Sequence, residues 1–348
     1  MYVLVGSVAG ETELRDRECW SSCQGCRRRR TSDSVARMSS PSICVAIPTR
    51  NRAAFVIAAL ESVVDQLAPH DELVVVDNGS SDDTATAAAA FMRRSWPRGK
   101  VVLEPRRGVS HARNRALEES TATVVAFLDD DERADPRWLA ELRQAWAESG
   151  PRVAAIGGPI RPNWCVARPA WLEDCLLYVI SVLDLGPRRK QLDQQPRTGY
   201  LWGGNMSFLR AVALEIGGFD PDVVYLAVDD GAPSRACLRL TTARSGEEQG
   251  IQERLIAADW EVWYEPGAAV DHIISAERAA ERFFYDFFRQ QAVLTLRRGR
   301  PRTPAVAALA REAARFVFFV VRRDPRATSA RFRFAGAWLL ATGPRRRF

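Results

Sequence analysis

The chain has 348 residues, 47% hydrophobic and 26% charged, a balance that excludes a wholly disordered protein. Its net charge of +6 is unevenly spread: residues 297–348 hold fourteen Arg and two acids, residues 1–40 hold seven basic and five acidic residues, and the stretch between carries −8. An acidic body with a basic tail disfavours a nucleic-acid partner. It suggests a body that collects metal and a tail that meets something anionic, such as a membrane surface.

No apolar run approaches the roughly 18 residues of a membrane-spanning helix. Met1–Gly10 lacks the basic lead-in and small-residue cleavage pattern of a signal peptide. The seven cysteines are odd in number and have no repeating spacing. Cys19, Cys23 and Cys26 have no nearby histidine and make a poor zinc set, so the thiols read as reduced and cytosolic.

Residues 1–40 are rich in Arg, Ser and Cys without periodicity, which predicts a disordered extension. A buried strand follows at Ile43–Ile47, stopped by Pro48, then a helix over Ala53–Gln66 and a strand over Glu72–Val76 that ends at Asp77. Acids open a helix at Ser81–Met92. Val101–Leu103 is a short strand and Ser110–Glu119 a helix. Thr123–Leu128 is a strand ending in Asp129, Asp130 and Asp131. Pro136–Glu148 is a helix with proline in its first turn, and Val153–Ile156 a further strand. Alternation of this kind predicts a parallel sheet flanked by helices, with ligands at the carboxyl edge of the strands. No Gly-x-Gly-x-x-Gly follows the first strand and no Walker motif occurs, which disfavours dinucleotide and P-loop enzymes.

Beyond about residue 275 the chain turns aromatic and then basic. Residues 282–296 have helical spacing, as do 304–321, where Arg311, Arg315 and Arg322 form a narrow stripe beside a wide apolar face. Such a helix suits a membrane interface, with Arg345–Arg347 adding attraction to anionic lipid, or it packs on the body.

Asp129 and Asp131 project to the same side of an extended chain and so can hold Mg²⁺ or Mn²⁺; the plainer alternative is an acidic turn before the next helix. Around them stand several short motifs in fixed order. They are Val45-Ala46-Ile47-Pro48-Thr49-Arg50-Asn51-Arg52, Val76-Asp77-Asn78-Gly79-Ser80, Arg107-Gly108-Val109-Ser110-His111-Ala112-Arg113-Asn114, and Phe127-Leu128-Asp129-Asp130-Asp131. Further on come Gly203-Gly204-Asn205-Met206-Ser207-Phe208, Gly217-Gly218-Phe219-Asp220 and Gly246-Glu247-Glu248. Over residues 42–290 this resembles the family 2 glycosyltransferases, inverting enzymes that use nucleotide-diphospho-sugars.

The resemblance implies an α/β protein of the GT-A fold, with a mostly parallel Rossmann-like sheet flanked by helices and a C-terminal helical extension. It divides the chain into a nucleotide-sugar half at 41–160, an acceptor and catalytic half at 161–290, and a basic tail at 291–348. It implies that Pro48, Thr49 and Asn51 line the donor site and that Asp77 accepts a hydrogen bond from the base, typically uracil. Arg113 is implied near the base or diphosphate, against the alternative of a surface helix position. Asp129 would lie near the ribose, and Asp129, Asp131 and His272 near the metal, Mn²⁺ or Mg²⁺. Trp202, Gly204 and Asn205 would face the acceptor, although Trp202 could equally pack in the core.

Glu248 is the implied general base, with Glu247 beside it. The family usually writes this pair Glu-Asp, and a solvated helix start would carry the same acids. The segment between Asp220 and Gly246 is longer than usual and reads as a mobile loop or a lid. The implied partners are a donor such as a UDP-sugar and a saccharide or lipid-linked acceptor. The implied location is cytoplasmic, peripheral at the inner face of the cell membrane. A sugar nucleotidyltransferase would want a glycine-rich loop after strand one, which is missing. A non-catalytic membrane-associated module of the same fold would have no need of the aspartates and the acidic pair, which this chain keeps.

Overall fold

The computed structural model describes residues 40–193, 199–222, 246–287 and 328. All but the last residue of the predicted 1–40 extension, residues 223–245 of the predicted loop or lid, and the predicted basic tail apart from residue 328, with its predicted 304–321 helix, lie outside the described residues. The first half alternates β1 (Ile43–Thr49), α1 (Ala53–Val63), β2 (Glu72–Asp77), α2 (Thr84–Ser95), β3 (Lys100–Leu103), α3 (Val109–Glu119), β4 (Val124–Phe127), β5 (Glu132–Ala134), α4 (Trp138–Ala147) and β6 (Val153–Gly157). The second half adds β7 (Ile160–Trp164), β8 (Lys190–Leu192), β9 (Met206–Leu209), α5 (Arg210–Glu215), α6 (Glu247–Ala257), β10 (Glu261–Tyr264) and β11 (Val270–Ile274). A 3-10 turn covers Asp174–Ile180 and a helical segment covers 281–287. Among the described residues, no helix is long and apolar enough to cross a membrane.

Eight strands form the central sheet in the order β3-β2-β1-β4-β9-β6-β10-β8, and β5-β11-β7 form a smaller sheet. β1 runs parallel to β2 and β4, and β2 to β3; β9 runs antiparallel between β4 and β6. This is the α/β architecture with a mostly parallel sheet that the resemblance implies. Ile43 to Ile47 are fully buried, as expected of a parallel strand covered on both faces. At the heart of the core Phe127, Phe208 and Phe219 meet edge to face, with centroids 5.4 to 6.2 Å apart.

Three local differences from the sequence reading have simple causes. β1 runs through Pro48 to Thr49. Backbone groups alternate sides, with Ala46 bonding toward β4 and Thr49 toward β2, so the missing N–H of Pro48 falls where pairing with β4 has ended. α2 begins at Thr84 because the Asp82 carboxylate accepts from both the backbone N–H and the hydroxyl of Thr84. β9, inside a stretch read only as a motif, is a fully buried strand of four residues.

Candidate active site

The carboxyl ends of β1, β2 and β4 converge, as the alternation predicts. The Asn78 N–H donates to the Thr49 carbonyl, and the Thr49 hydroxyl donates to Asp130 Oδ2 at 2.7 Å. The Asp77 carboxylate accepts from the Ser80 N–H and hydroxyl, while Ser80 Oγ accepts from the Asn51 N–H. Asn51 adopts φ 51° and accepts the Ser81 N–H on its side-chain oxygen. The structure therefore brings Pro48, Thr49, Asn51 and Asp77 to one edge. There Asp77 is buried, Pro48 half-buried and Asn51 exposed.

The three aspartates have separate partners. Asp129 Oδ1 receives Arg113 Nη2 at 3.1 Å. Asp130 takes Thr49 on one oxygen and Arg52 on the other. Burial, and after it the charge of Asp131, pushes the Asp130 carboxyl up to about 7. Asp131 Oδ2 receives Arg278 at 2.9 Å and Arg52 at 3.0 Å, and His272 Nε2 lies 3.5 Å away. Burial alone would raise Asp131. The hydrogen bond and charge of His272, with Arg278 and Arg52, outweigh it and hold Asp131 below its ordinary value.

These residues fit a divalent cation. The ring Nδ1 of His272 lies 2.9 Å from the Ile180 carbonyl, which can only accept, so Nδ1 carries a hydrogen and the bond fixes the ring's orientation. Nε2 then faces Asp131 Oδ2 at 3.5 Å, and an imidazole nitrogen beside a carboxylate could hold a cation in place of the contact they make with each other. Among the described residues, no three His, Cys, Asp or Glu side chains converge to hold a metal alone. Further ligands would have to come from a diphosphate. Asp129 spends only Oδ1 on Arg113, as Asp131 spends Oδ2 on Arg278 and Arg52, so neither carboxylate is closed to a metal.

α6 starts at Gly246, φ 99°, a left-handed conformation that suits glycine, and its first two residues are Glu247 and Glu248. Both are buried, at 2% and 6% exposure, which removes the reading of a solvated helix start. Arg113 Nη1 donates to Glu247 Oε1 at 2.7 Å. Among the described residues, Oε2 of Glu247 and Oε2 of Glu248 have no hydrogen-bond partner. Burial, and after it the Glu247 charge, raises Glu248 well above the ordinary value. A buried carboxylate with one oxygen unpartnered and its pKa raised is what a general base requires. Arg113 itself is buried, which corrects the surface alternative.

On the acceptor side, Trp202 is half-buried against the core. Asn205 is 1% exposed: its amide donates to the Pro159 and Ala268 carbonyls and its oxygen accepts Trp138 Nε1. With both donors committed inside the protein, Asn205 is an architectural tie, and its expected acceptor role is withdrawn. Gly204 lies against Glu132, whose carboxylate a Cβ there would strike. Glu132 is buried, accepts the Asp129 N–H, and is raised well above its ordinary value by burial and then by Asp129 and Asp131. Sequence reasoning missed Glu132 and Arg278. Glu132 continues the acidic run and so had a local signal, whereas Arg278 had none.

A family model described as glycosyl transferase family 2 matches residues 44–217, from β1 through α5. Among curated proteins, the chain is 31% identical over 164 residues to a glucosyl-dolichyl phosphate glucuronosyltransferase of Haloferax volcanii, covering 46% of this chain and 50% of that one. It is 34% identical over 93 residues to the putative teichuronic acid biosynthesis glycosyltransferase TuaG of Bacillus subtilis, covering 27% and 37%. The alignments span half or less of the length of these relatives. Among solved structures the chain is similar to the mannosyltransferase PcManGT from Pyrobaculum calidifontis, in complex with GDP-Man and Mn²⁺, at 19% identity and a TM-score of 0.51. That likeness covers 87% of this chain and 88% of the other, and at such identity it speaks for the GT-A fold. With half of its length matched by the family model, including every donor-side motif, the chain belongs to glycosyl transferase family 2.

Proposed function

We propose that the protein transfers a sugar from a nucleotide-diphospho-sugar to an acceptor hydroxyl with inversion, in the biosynthesis of a polysaccharide, glycolipid or other glycoconjugate. The acceptor oxygen attacks the anomeric carbon from the face opposite the diphosphate. The new carbon–oxygen bond forms as the bond to the diphosphate breaks, and the nucleoside diphosphate departs. The hydroxyl proton passes to Glu248, which later releases it to solvent. Asp77 receives the base, Thr49 and Asn51 shape the loop beneath it, and Asp129 meets the ribose. A divalent cation, Mn²⁺ or Mg²⁺, held by Asp131 and His272 would offset the charge growing on the leaving diphosphate. Trp202 and Gly204 border the acceptor.

The observation that carries this reading is the burial of Glu248 with an unpartnered oxygen beside carboxylates that end the donor-side strands. A purely structural module gains nothing from such a group, since an uncompensated buried carboxylate costs stability. The test is a panel of nucleotide-sugars, UDP-sugars first, scored for release of nucleoside diphosphate with and without saccharide and lipid-linked acceptors. Turnover by the native chain and its loss in Glu248→Gln support the proposal. Binding of donor without turnover, in the native chain under every condition, would favour a non-catalytic module.

The basic tail supports a peripheral location on an anionic membrane, at the cytoplasmic face. Each Lys or Arg near such a surface contributes about 1 kcal/mol, screened by salt. Full-length chain should co-sediment with anionic vesicles at low salt and less at high salt, and a chain ending at 296 should not. Equal binding to neutral vesicles would remove the electrostatic part of this assignment.

A further inference from the structure

Arg113 sits one turn into α3 with 2% of its surface exposed. Its fork reaches two carboxylates that belong to different halves of the chain: Nη2 to Asp129, just past β4, and Nη1 to Glu247, the first residue of α6. The guanidinium lies 6.0 Å from the Phe127 centroid and 5.6 Å from that of Phe219. It occupies the space that Gly203 leaves, where a Cβ would strike it. Four separate segments are therefore built around one cation.

We propose that Arg113 is a positioning residue rather than a donor ligand: it clamps the Asp129 end of β4 to the Glu247 end of α6 and so fixes where Glu248 stands relative to the donor. This rests on the proposed function for the role of Glu248. Three observations favour it. First, α6 has no side-chain cap at its start, so its first turn is not anchored by its own sequence. Gln252 ties the following turn to Leu201, which leaves Arg113 as the described hold on Glu247 itself. Second, Nη1 and Nη2 each give an N–H to a protein carboxylate, at 2.7 and 3.1 Å, and the side chain, its unpartnered Nε included, is buried, so burial rather than saturation keeps it from a diphosphate. Third, one cation faces three buried or half-buried carboxylates, Asp129, Glu247 and Glu248, which hold it in its charged form against the cost of burial. A pair serving stability alone would be neutral, because unmatched buried charge is destabilising. The surplus negative charge lies where an acceptor hydroxyl must lose its proton.

Lysine cannot reproduce the fork, since its ammonium is a single point donor on a flexible stem. Arg113→Lys should fold and keep its donor KM within about threefold, while kcat falls about tenfold or more, the scale of a misplaced catalytic group. Glu247→Gln breaks the same clamp from the α6 side and should show the same split. The double variant should be little worse than either single variant, because both cut one connection. A loss confined to donor KM, multiplying losses in the double variant, or a normal kcat in Glu247→Gln would overturn the clamp. Hydrogen exchange across residues 247–252 gives a readout that needs no turnover: amides there should exchange faster in Arg113→Lys while those of β4 stay protected. If the native chain consumes no nucleotide-sugar, the proposed function fails, and this exchange measurement alone decides the clamp, with unchanged protection overturning it. Failure of Arg113→Lys to fold, beside Glu247→Gln with native exchange, would equally overturn it.

Discussion

The hydroxyl of Thr49 and the carboxylate of Asp130, 81 positions apart in the chain, are joined by a 2.7 Å hydrogen bond at the ends of β1 and β4. With Arg52 on its other oxygen, Asp130 is committed to holding two strand ends together. Thr49→Val removes a donor from a buried carboxylate, a loss worth about 1–3 kcal/mol. Urea denaturation should show a lowered midpoint, and donor KM should rise because the strand-end loop is released. An unchanged midpoint would mean that water replaces the hydroxyl without cost.

For Glu248 the expected stability change is opposite in sign to the expected activity change. A carboxyl whose folded-state pKa is raised lends stability that is complete below its ordinary value of 4.5 and is lost as pH climbs through the raised value. At pH 8, Glu248→Gln should therefore be more stable than the native protein, and a gain of about 1 kcal/mol would move Tm by about 2 °C. The difference should vanish near pH 4. Turnover by Glu248→Gln should fall about 100-fold or more, the usual scale for a lost general base. Native activity should rise with pH as Glu248 loses its proton. Thermal melts and a pH–rate profile check both, and normal turnover with an unchanged Tm would reduce Glu248 to part of a helix start.

Asp131→Ala should abolish transfer while leaving the fold intact. It should also remove any dependence of nucleoside diphosphate binding on Mn²⁺ or Mg²⁺, read by calorimetry with the metal titrated back after chelation. A variant that stays fully active in chelator would end the metal assignment.

Acid stability should depend on Glu104 and Arg106. The Arg106 side chain donates to both oxygens of the Glu104 carboxylate, and this hydrogen bonding, against the opposing effect of burial, holds that carboxyl down to about 2. A depressed pKa contributes stability that is present above 4.5 and lost as pH falls toward about 2. Arg106→Ala should thus lower the denaturation midpoint at pH 6, and its gap from the native protein should narrow below pH 4.5 and close only as pH falls through about 2. A gap that stays constant with pH would assign the effect to packing.

The parts of the fold that the sequence made legible are those with strong local cause. β1, β2 and β4 are buried on both faces, and such strands read as unbroken apolar runs. Their polar ends stood out against those runs, which is why Asp77 and Asp129–Asp131 could be placed together. β5 and β9 were not legible: two of the three residues of β5 are charged and a serine interrupts the four of β9, so neither reads as an unbroken apolar run. Asn205 shows another limit. Its motif was visible, but only the structure reveals that its amide closes a core around Trp138. Arg278 meets Asp131 across 147 positions, a relationship no local pattern encodes.

The antiparallel β9 has a consequence for how the chain is made. It fills the gap between β4 and β6, so those two strands face one another across an empty lane until residues 206–209 leave the ribosome. At about 5–20 residues per second, the roughly fifty residues from β6 to β9 take several seconds. For that interval the nascent chain offers two adjacent apolar strand edges, which chaperones or a second nascent copy could capture. Rare codons placed after β6 would lengthen this window, whereas the same codons after β9 would not.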